Sequence, residues 1–218
     1  SLGRDIFSRV LYAARISMSV GLVAVGISTA VGILLGSLAG YFGGWVDTVI
    51  MRLVDVVYCF PVLFLVIIIS TVLKPSIYNV MLVIGLCNWT GTARFVRGEI
   101  LRVRELDYVK ASESLGARDS RIILSHILPN VMAPILVEAT LQMAHAILTE
   151  AALSYLGVGV QMPIASWGNM LYGANNLSTL TLRPWQWMPP GLCILMAVLS
   201  INFIGDGLRD AFDARQKK

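Results

Sequence analysis

The sequence predicts an all-α membrane protein with several spanning helices in a single domain. Hydrophobic residues occupy 56% of the 218 positions and charged residues only 14%, against about 25% charged residues in soluble domains. The mean hydropathy is +0.74. Long uncharged runs and an uneven distribution of Lys and Arg favour the same class. This composition argues against a disordered chain, a nucleic-acid-binding domain and an ordinary soluble enzyme.

Five apolar stretches are predicted to cross the bilayer, since a spanning helix needs about 20 residues. Uncharged runs of 31, 18, 19 and 22 residues follow Arg15, Asp55, Lys74 and Arg183. The remaining stretch is interrupted by charged residues and is the weakest of the five. The predicted spans are 17–40, 55–73, 77–96, 130–150 and 188–207.

The distribution of basic residues predicts the orientation of the chain. With five spans, one side carries 12 Lys and Arg residues and the other carries 5. The two sides consist of 41–53, 94–129 and 208–218, and of 1–15, 74–76 and 151–187. The positive-inside rule places the first set in the cytoplasm, so the N-terminus lies outside and the C-terminus inside. The first 15 residues lack the pattern of a signal peptide, so we expect a further helix to precede them, giving six spans in the native subunit.

The cytoplasmic loop, 97–129, is predicted to form two short helices joined by a turn. Asp107 is suited to cap the first helix, and Gly116 to end it in a left-handed turn. Asp119 or Ser120 is suited to cap the second helix, which Pro129 is expected to stop. One face of the first helix carries Tyr108, Val109, Ser112 and Leu115. Two interpretations are open: a helix resting on the membrane surface, or a docking site for a soluble partner.

The span 130–150 has a polar face. Its members are spaced by four, three and four residues, which places them on one side of a helix: Glu138, Gln142, His145 and Thr149. Glu150 points elsewhere. Ionisable groups in lipid usually face an aqueous cavity or a partner, which indicates a translocation route. The alternative is a network of interhelical hydrogen bonds. We expect His145 to be hydrogen-bonded rather than metal-bound, and we predict no metal site in the chain.

Small residues and prolines predict local packing. Gly32, Gly36 and Gly40 recur every fourth position, which favours close approach of two helices over a channel-lining role. Pro61 predicts a kink in the second span. Without a CxxC motif, the cysteines are expected to be buried as small hydrophobic side chains. The three cysteines are Cys59, Cys87 and Cys193.

The external segment 151–187 is long for a connector and has one charged residue, Arg183. It carries Trp167, Trp185 and Trp187, which are typical anchors at the membrane interface. The alternative is a surface that receives an extracytoplasmic protein or caps a cavity.

The cytoplasmic loop resembles the EAA loop of ABC importer permeases in the segments Lys110–Gly116 and His126–Pro129. The matching positions are Ala111, Gly116, Leu128 and Pro129. The departures are Lys110, Ser112 and His126. Further segments are similar to motifs of the dipeptide, oligopeptide and nickel importer subfamily, in particular its "C" permease subunit: Leu2–Arg9, Ala39–Gly44, Glu150–Gly159, Ser166–Gly168 and Asn202–Asp210.

The resemblance implies a permease that works with partners rather than an enzyme. It implies a second homologous permease, two cytoplasmic ATPase subunits and an extracytoplasmic binding protein, in a bacterial or archaeal plasma membrane. The segment 108–128 would dock into an ATPase subunit. The residues expected at that contact are Tyr108, Val109, Ala111, Ser112, Leu115, Gly116, Leu128 and Pro129. ATP and Mg would bind the partners, and this chain lacks a P-loop motif.

Peptide is the preferred substrate, because the sequence offers no cluster of His, Cys and Met for a metal route; nickel or another small solute is the alternative. Two other classes remain open. An intramembrane enzyme would need a catalytic pair, and the chain has no HExxH or nucleophile motif. An ATP-independent channel or secondary transporter would not need the docking loop.

Overall fold

The computed structural model describes residues 5–73 and 76–216, and every regular element in these ranges is a helix. The start of the Leu2–Arg9 motif, most of the segment 74–76 and the last two residues lie outside the described part. The long helices are α1 (Ile6–Phe42), α4 (Ile77–Arg104), α7 (Leu128–Tyr155) and α10 (Met188–Gln216). The short helices are α2 (Gly44–Tyr58), α3 (Val62–Val72), α5 (Asp107–Ser114), α6 (Asp119–Arg121), α8 (Trp167–Tyr172) and α9 (Leu177–Leu182). A π-helical segment covers Ile122–Ile127, and 3-10 turns cover Gly173–Asn175 and Pro184–Gln186.

Three stretches are long and apolar enough to cross a membrane: Ile6–Phe42, Asp119–Tyr155 and Met188–Phe212. α2 and α3 count as a fourth span if the pair is taken as one broken crossing. α4 covers the predicted span 77–96, but polar residues such as Asn88 leave it less apolar than the others. By length and composition the described chain therefore has three or four spans, where the sequence predicted five.

The kink predicted at Pro61 is present as a break of 81° between α2 and α3. Proline has no N–H to donate and disfavours a helical conformation of the preceding residue, and Pro61 caps the start of α3. Cys59 lies in this break and is exposed, which corrects the expectation of three buried thiols. Cys87 is buried as expected, and Cys193 is half-buried.

α1 and α4 pack backbone against backbone along a row of glycines. A Cβ atom on Gly32 would lie 2.5 Å from Cβ of Thr92, and one on Gly36 would lie 2.6 Å from the carbonyl oxygen of Ala93. A Cβ atom on Gly40 would lie 3.0 Å from the carbonyl oxygen of Arg97. These glycines therefore allow the backbones of the two helices to approach closely.

The first helix of the cytoplasmic loop, α5, begins at Asp107 itself. Leu106 occupies the capping position, and no side chain caps this end, so the expectation of an Asp107 cap is wrong. Gly116 has φ of +76°, and its N–H donates to the carbonyl oxygen of Glu113 at 2.9 Å. This left-handed turn ends the helix where the sequence indicated.

Pro129 does not stop the second helix. The run from Asp119 to Tyr155 is continuous over 37 residues, and Pro129 lies in the first turn of α7. A proline is tolerated there because the π-helical segment before it changes the hydrogen-bond register. Asp119 is the first residue of α6 and Arg118 precedes it as the cap, so neither predicted residue caps this helix.

Trp167 is buried in the helix bundle rather than placed at its surface, with only 5% of its area exposed. Its indole N–H donates to the carbonyl oxygen of Val10 at 3.2 Å. Its burial leaves Trp167 unsuited to the interfacial anchor that was one of the two roles considered, whereas Trp185 is exposed.

Candidate functional site

Gln142 connects the polar face of α7 to two neighbouring helices. Its side-chain nitrogen lies 2.8 Å from Oγ1 of Thr92 in α4 and 3.2 Å from Oε1 of Glu138. Its side-chain oxygen accepts a hydrogen bond from Ser28 of α1 at 3.3 Å. Glu138 and Gln142 thus take part in the interhelical network that the sequence analysis held as one of its alternatives.

His145 and Thr149 face an open pocket between α7, α4 and the bend of α2 and α3. The pocket has a volume of about 310 Å³. The His145 ring is exposed and forms no hydrogen bond to the described residues, unlike the bonded histidine that we expected. The pocket offers hydroxyl, amide and imidazole groups to a ligand. Its polar lining consists of Tyr58, Asn88, Thr90, Gln142, His145 and Thr149.

Glu138 faces a second pocket, of about 380 Å³, between α4, α7 and α10. Arg102 and Arg209 also line this pocket, and Arg102 pairs with Glu99 at 2.6 Å. Among the described residues no Lys or Arg lies within 4.0 Å of the Glu138 carboxylate. The polar face of α7 therefore lines two pockets, one at Glu138 and one at His145 and Thr149. Gln142 lies between Glu138 and His145 in the sequence.

Two ion pairs hold α2 against α4. The Arg97 guanidinium contacts both carboxylate oxygens of Asp47, at 2.5 and 2.6 Å. Arg94 donates to Asp55 at 2.8 Å, and its guanidinium lies 4.6 Å from the centre of the Tyr58 ring. The sequence analysis missed these pairs, because their partners are 39 and 50 positions apart in the chain and no local pattern indicates the contacts.

The predicted face of α5 is divided between the core and the surface. Val109 is only 2% exposed and packs with Ile122 and Ile127. Leu115 is 88% exposed and Tyr108 is 40% exposed. The buried Val109 side chain thus holds the helix against the core, while the side chains of Tyr108 and Leu115 point away from the protein. Of the other predicted contact residues, Ala111, Gly116 and Pro129 are exposed, and Ser112 and Leu128 are half-buried.

Hydrogen bonds fix this loop to the ends of α1 and α4. The Tyr41 hydroxyl donates to Asp119 at 2.9 Å, and Arg104 donates to the carbonyl oxygen of Tyr41 at 2.7 Å. At the surface, Lys110 lies 2.9 Å from Glu105, and its ammonium group lowers the pKa of that carboxyl below its usual value. The loop is therefore a firmly held projection.

Glu150, which lies off the polar face, is a further residue that the sequence analysis did not use. It is fully buried and accepts hydrogen bonds from Ser17 at 3.1 Å and Ser154 at 2.7 Å. Its partner Ser17 is 133 positions away in the chain, so no local pattern indicates the contact.

An all-helical chain with apolar spans, open polar pockets and a firmly held projecting loop is typical of an integral membrane component of a transport system. Residues 32–218 match the family described as "Binding-protein-dependent transport system inner membrane component". The chain belongs to this family, and the resemblance to ABC importer permeases is confirmed. It is a transport family rather than an enzyme family.

Relatives with established names span nearly the whole chain. The dipeptide transport system permease protein of Alkalihalophilus pseudofirmus is 43% identical over 99% of this chain and 70% of its own length. The oligopeptide transport system permease protein of Bacillus subtilis is 42% identical over 100% and 70%. The glutathione transport system permease protein of Pectobacterium atrosepticum is 40% identical over 100% and 71%.

Solved structures share the fold at low sequence identity. A chain of an amino acid ABC transporter crystallised with histidines has a TM-score of 0.66 and 15% identity, covering 98% of this chain and 100% of its own. A chain of the MetNI methionine ABC transporter in an inward-facing conformation has a TM-score of 0.64 and 17% identity, covering 94% and 95%.

Proposed function

We propose that the chain is the "C"-type permease subunit of an ATP-driven importer of dipeptides or oligopeptides. Its relatives of 42–43% identity are named as dipeptide and oligopeptide permeases. It forms one half of the pathway and pairs with a homologous second permease. Two ATPase subunits bind its cytoplasmic face and supply the ATP and Mg sites, and a binding protein delivers the substrate from outside.

The pocket between α7, α4 and the α2–α3 bend supports a peptide pathway most directly. Its polar lining supplies donors and acceptors that suit the amide groups of a peptide backbone. The break at Pro61 opens the space, since a straight helix would continue past Tyr58. The Glu138 carboxylate, which has no Lys or Arg within 4.0 Å among the described residues, suits the ammonium group of a peptide in the second pocket.

The α5 loop is the proposed contact with an ATPase subunit. Leu115 and Tyr108 present apolar area outward, and large exposed apolar side chains commonly mark a protein interface. The buried Val109 and the Tyr41–Asp119 hydrogen bond make the loop move as one body with α1, α4 and α7. Closure of the ATPases would therefore move the helices that line the pockets.

The proposed topology places this loop and the C-terminus in the cytoplasm and the start of the chain outside. It counts α4 and the bent α2–α3 pair as full crossings, which gives five spans in this chain. The support is the distribution of Lys and Arg, 12 on one side and 5 on the other.

A matched pair of threonine variants tests the pathway. Thr149 and Thr71 each donate a hydroxyl proton to a backbone carbonyl oxygen of the preceding turn, at 2.8 and 2.7 Å, but only Thr149 lines the pocket. In proteoliposomes with all partner subunits, Thr149→Val and His145→Leu should raise the KM for peptide uptake, and Thr71→Val should not. Equal kinetics for all three variants would refute the peptide pathway.

The nickel alternative is tested in the same vesicles. Within the described ranges, no group of three or more His, Cys, Asp and Glu could hold a metal ion. Peptide, delivered by the cognate binding protein, should stimulate ATP hydrolysis and nickel salts should not. If nickel alone stimulates ATP hydrolysis, nickel replaces peptide as the proposed substrate.

A further inference from the structure

Glu150 is a fully buried carboxyl group that neither the pockets nor the α5 loop uses. It lies at the end of α7 farthest from that loop in the helix, and its oxygens accept hydrogen bonds from the hydroxyls of two serines, Ser17 and Ser154. Ser17 belongs to α1 and Ser154 to α7. A buried carboxyl group costs free energy unless it is well hydrogen-bonded, so this cluster joins α1 to the end of α7.

Hydrogen bonds run from backbone N–H groups of the segment 157–169 through these serine hydroxyls to the Glu150 carboxylate. Each of the two serine oxygens accepts a backbone N–H from this segment, at 2.9 and 3.2 Å. The donors are Val160 to Ser154 and Trp167 to Ser17. A hydroxyl group has a single proton, which each of these serines donates to Glu150. A carboxylate, which only accepts, satisfies both serines at once.

The segment 157–169 is also packed too closely to shift on its own. A Cβ atom on Gly168 would lie 2.6 Å from Cα of Ala151, and one on Gly159 would lie 2.6 Å from the backbone nitrogen of Ser154. Gly157 has φ of +81°, so the chain can turn back onto α7 directly after the helix. The segment and the end of α7 therefore form one packed unit.

We propose that Glu150 is a positioning residue that fixes the segment 157–169 to α1 and α7, so that the segment moves together with the ATPase-binding loop. The helical run from Asp119 to Tyr155 is unbroken and connects the ATPase-binding loop to the start of this segment. The joint movement of segment and loop rests on the proposed function, which places the segment on the external face. Docking of the binding protein at that face would then reach the ATPases through Glu150 and α7.

Glu150→Gln is the decisive variant, because it replaces one carboxylate oxygen with an amide nitrogen, which cannot accept the proton that one of the serines donates there. Hydrogen exchange of the purified chain, read by mass spectrometry, should become about 10- to 100-fold faster in the peptide covering 157–169. Exchange in α5 should not change. Glu150→Asp keeps a carboxylate and should restore part of the protection, and Ser17→Ala should accelerate exchange around Trp167.

The assembled transporter gives the second readout. Glu150→Gln should lower ATPase stimulation by the loaded binding protein at least fivefold and leave the basal ATPase rate unchanged. Asp206→Asn is the matched control, since Asp206 is an exposed carboxylate of α10 with no ion pair among the described residues. It should alter neither exchange in 157–169 nor stimulation.

The outcomes separate the two parts of the inference. Unchanged exchange in 157–169 overturns the anchoring role of Glu150. Faster exchange with normal stimulation overturns the positioning role, since the contact is then structural only. If the wild-type transporter shows no stimulation by a binding protein, the proposed function and the transmission both fail, and the exchange measurement still decides whether Glu150 holds the segment.

Discussion

Replacing Gly36 of α1 by alanine should destabilise the protein, whereas the same change at Gly26 should not. A Cβ atom on Gly36 would lie 2.6 Å from the carbonyl oxygen of Ala93 and 2.8 Å from Cβ of Val96, where 3.4 Å begins ordinary contact. α4 would therefore have to move by about 0.8 Å. Nothing lies within 4 Å of a Cβ atom on Gly26.

The magnitude follows from comparing the two variants. Both gain the same helix propensity, up to about 1 kcal/mol, and only Gly36→Ala suffers overpacking, which costs about 1–3 kcal/mol. At about 3 °C per kcal/mol for a chain of this size, Gly36→Ala should have a Tm roughly 3–9 °C below that of Gly26→Ala. Thermal unfolding of the detergent-solubilised chain measures the difference. Equal Tm values would refute close packing of α1 on α4 at this point.

Three further substitutions test the loop and the ion pairs. Leu115→Glu should change the free energy of unfolding by less than about 0.5 kcal/mol, but it should abolish co-purification with the ATPase subunits. Tyr41→Phe removes a hydrogen bond to a carboxylate and should lower the free energy of unfolding by about 1.5–3 kcal/mol, measured by thermal unfolding. An unchanged Tm would show that other contacts hold the loop. Arg97→Met breaks a half-buried bidentate pair and should lower the Tm more than Arg52→Met, whose 3.9 Å pair is exposed. Equal Tm values for the two arginine variants would contradict the clamp between α2 and α4.

The positions of the long helices follow from the uncharged runs, but their ends do not. α1 begins at Ile6 instead of residue 17, because a helix can include Arg9 and Arg15 before the apolar run begins. Pro129 was expected to stop a helix, since local rules do not anticipate the π-helical segment before it. The break at Pro61 was predictable, because it depends on the chemistry of one residue.

The candidate site could likewise be predicted from the sequence only in part. The polar face of α7 follows from spacing alone, since residues three and four apart share a helix face. Its division between two pockets could not be predicted, because it depends on which helices pack beside Glu138 and His145. Glu150 was passed over for a similar reason: its partner Ser17 is distant in the chain and joins it only in the folded bundle.

ATP-driven peptide uptake into sealed vesicles is the most direct test of the proposed function. The vesicles would hold the native subunit, its homologous permease and the two ATPase subunits, with a loaded binding protein outside and ATP inside. Labelled dipeptide should accumulate inside only when both ATP and the binding protein are present, and Leu115→Glu should abolish that accumulation. Uptake without ATP, or normal uptake by the Leu115→Glu transporter, would contradict an importer driven through the α5 loop.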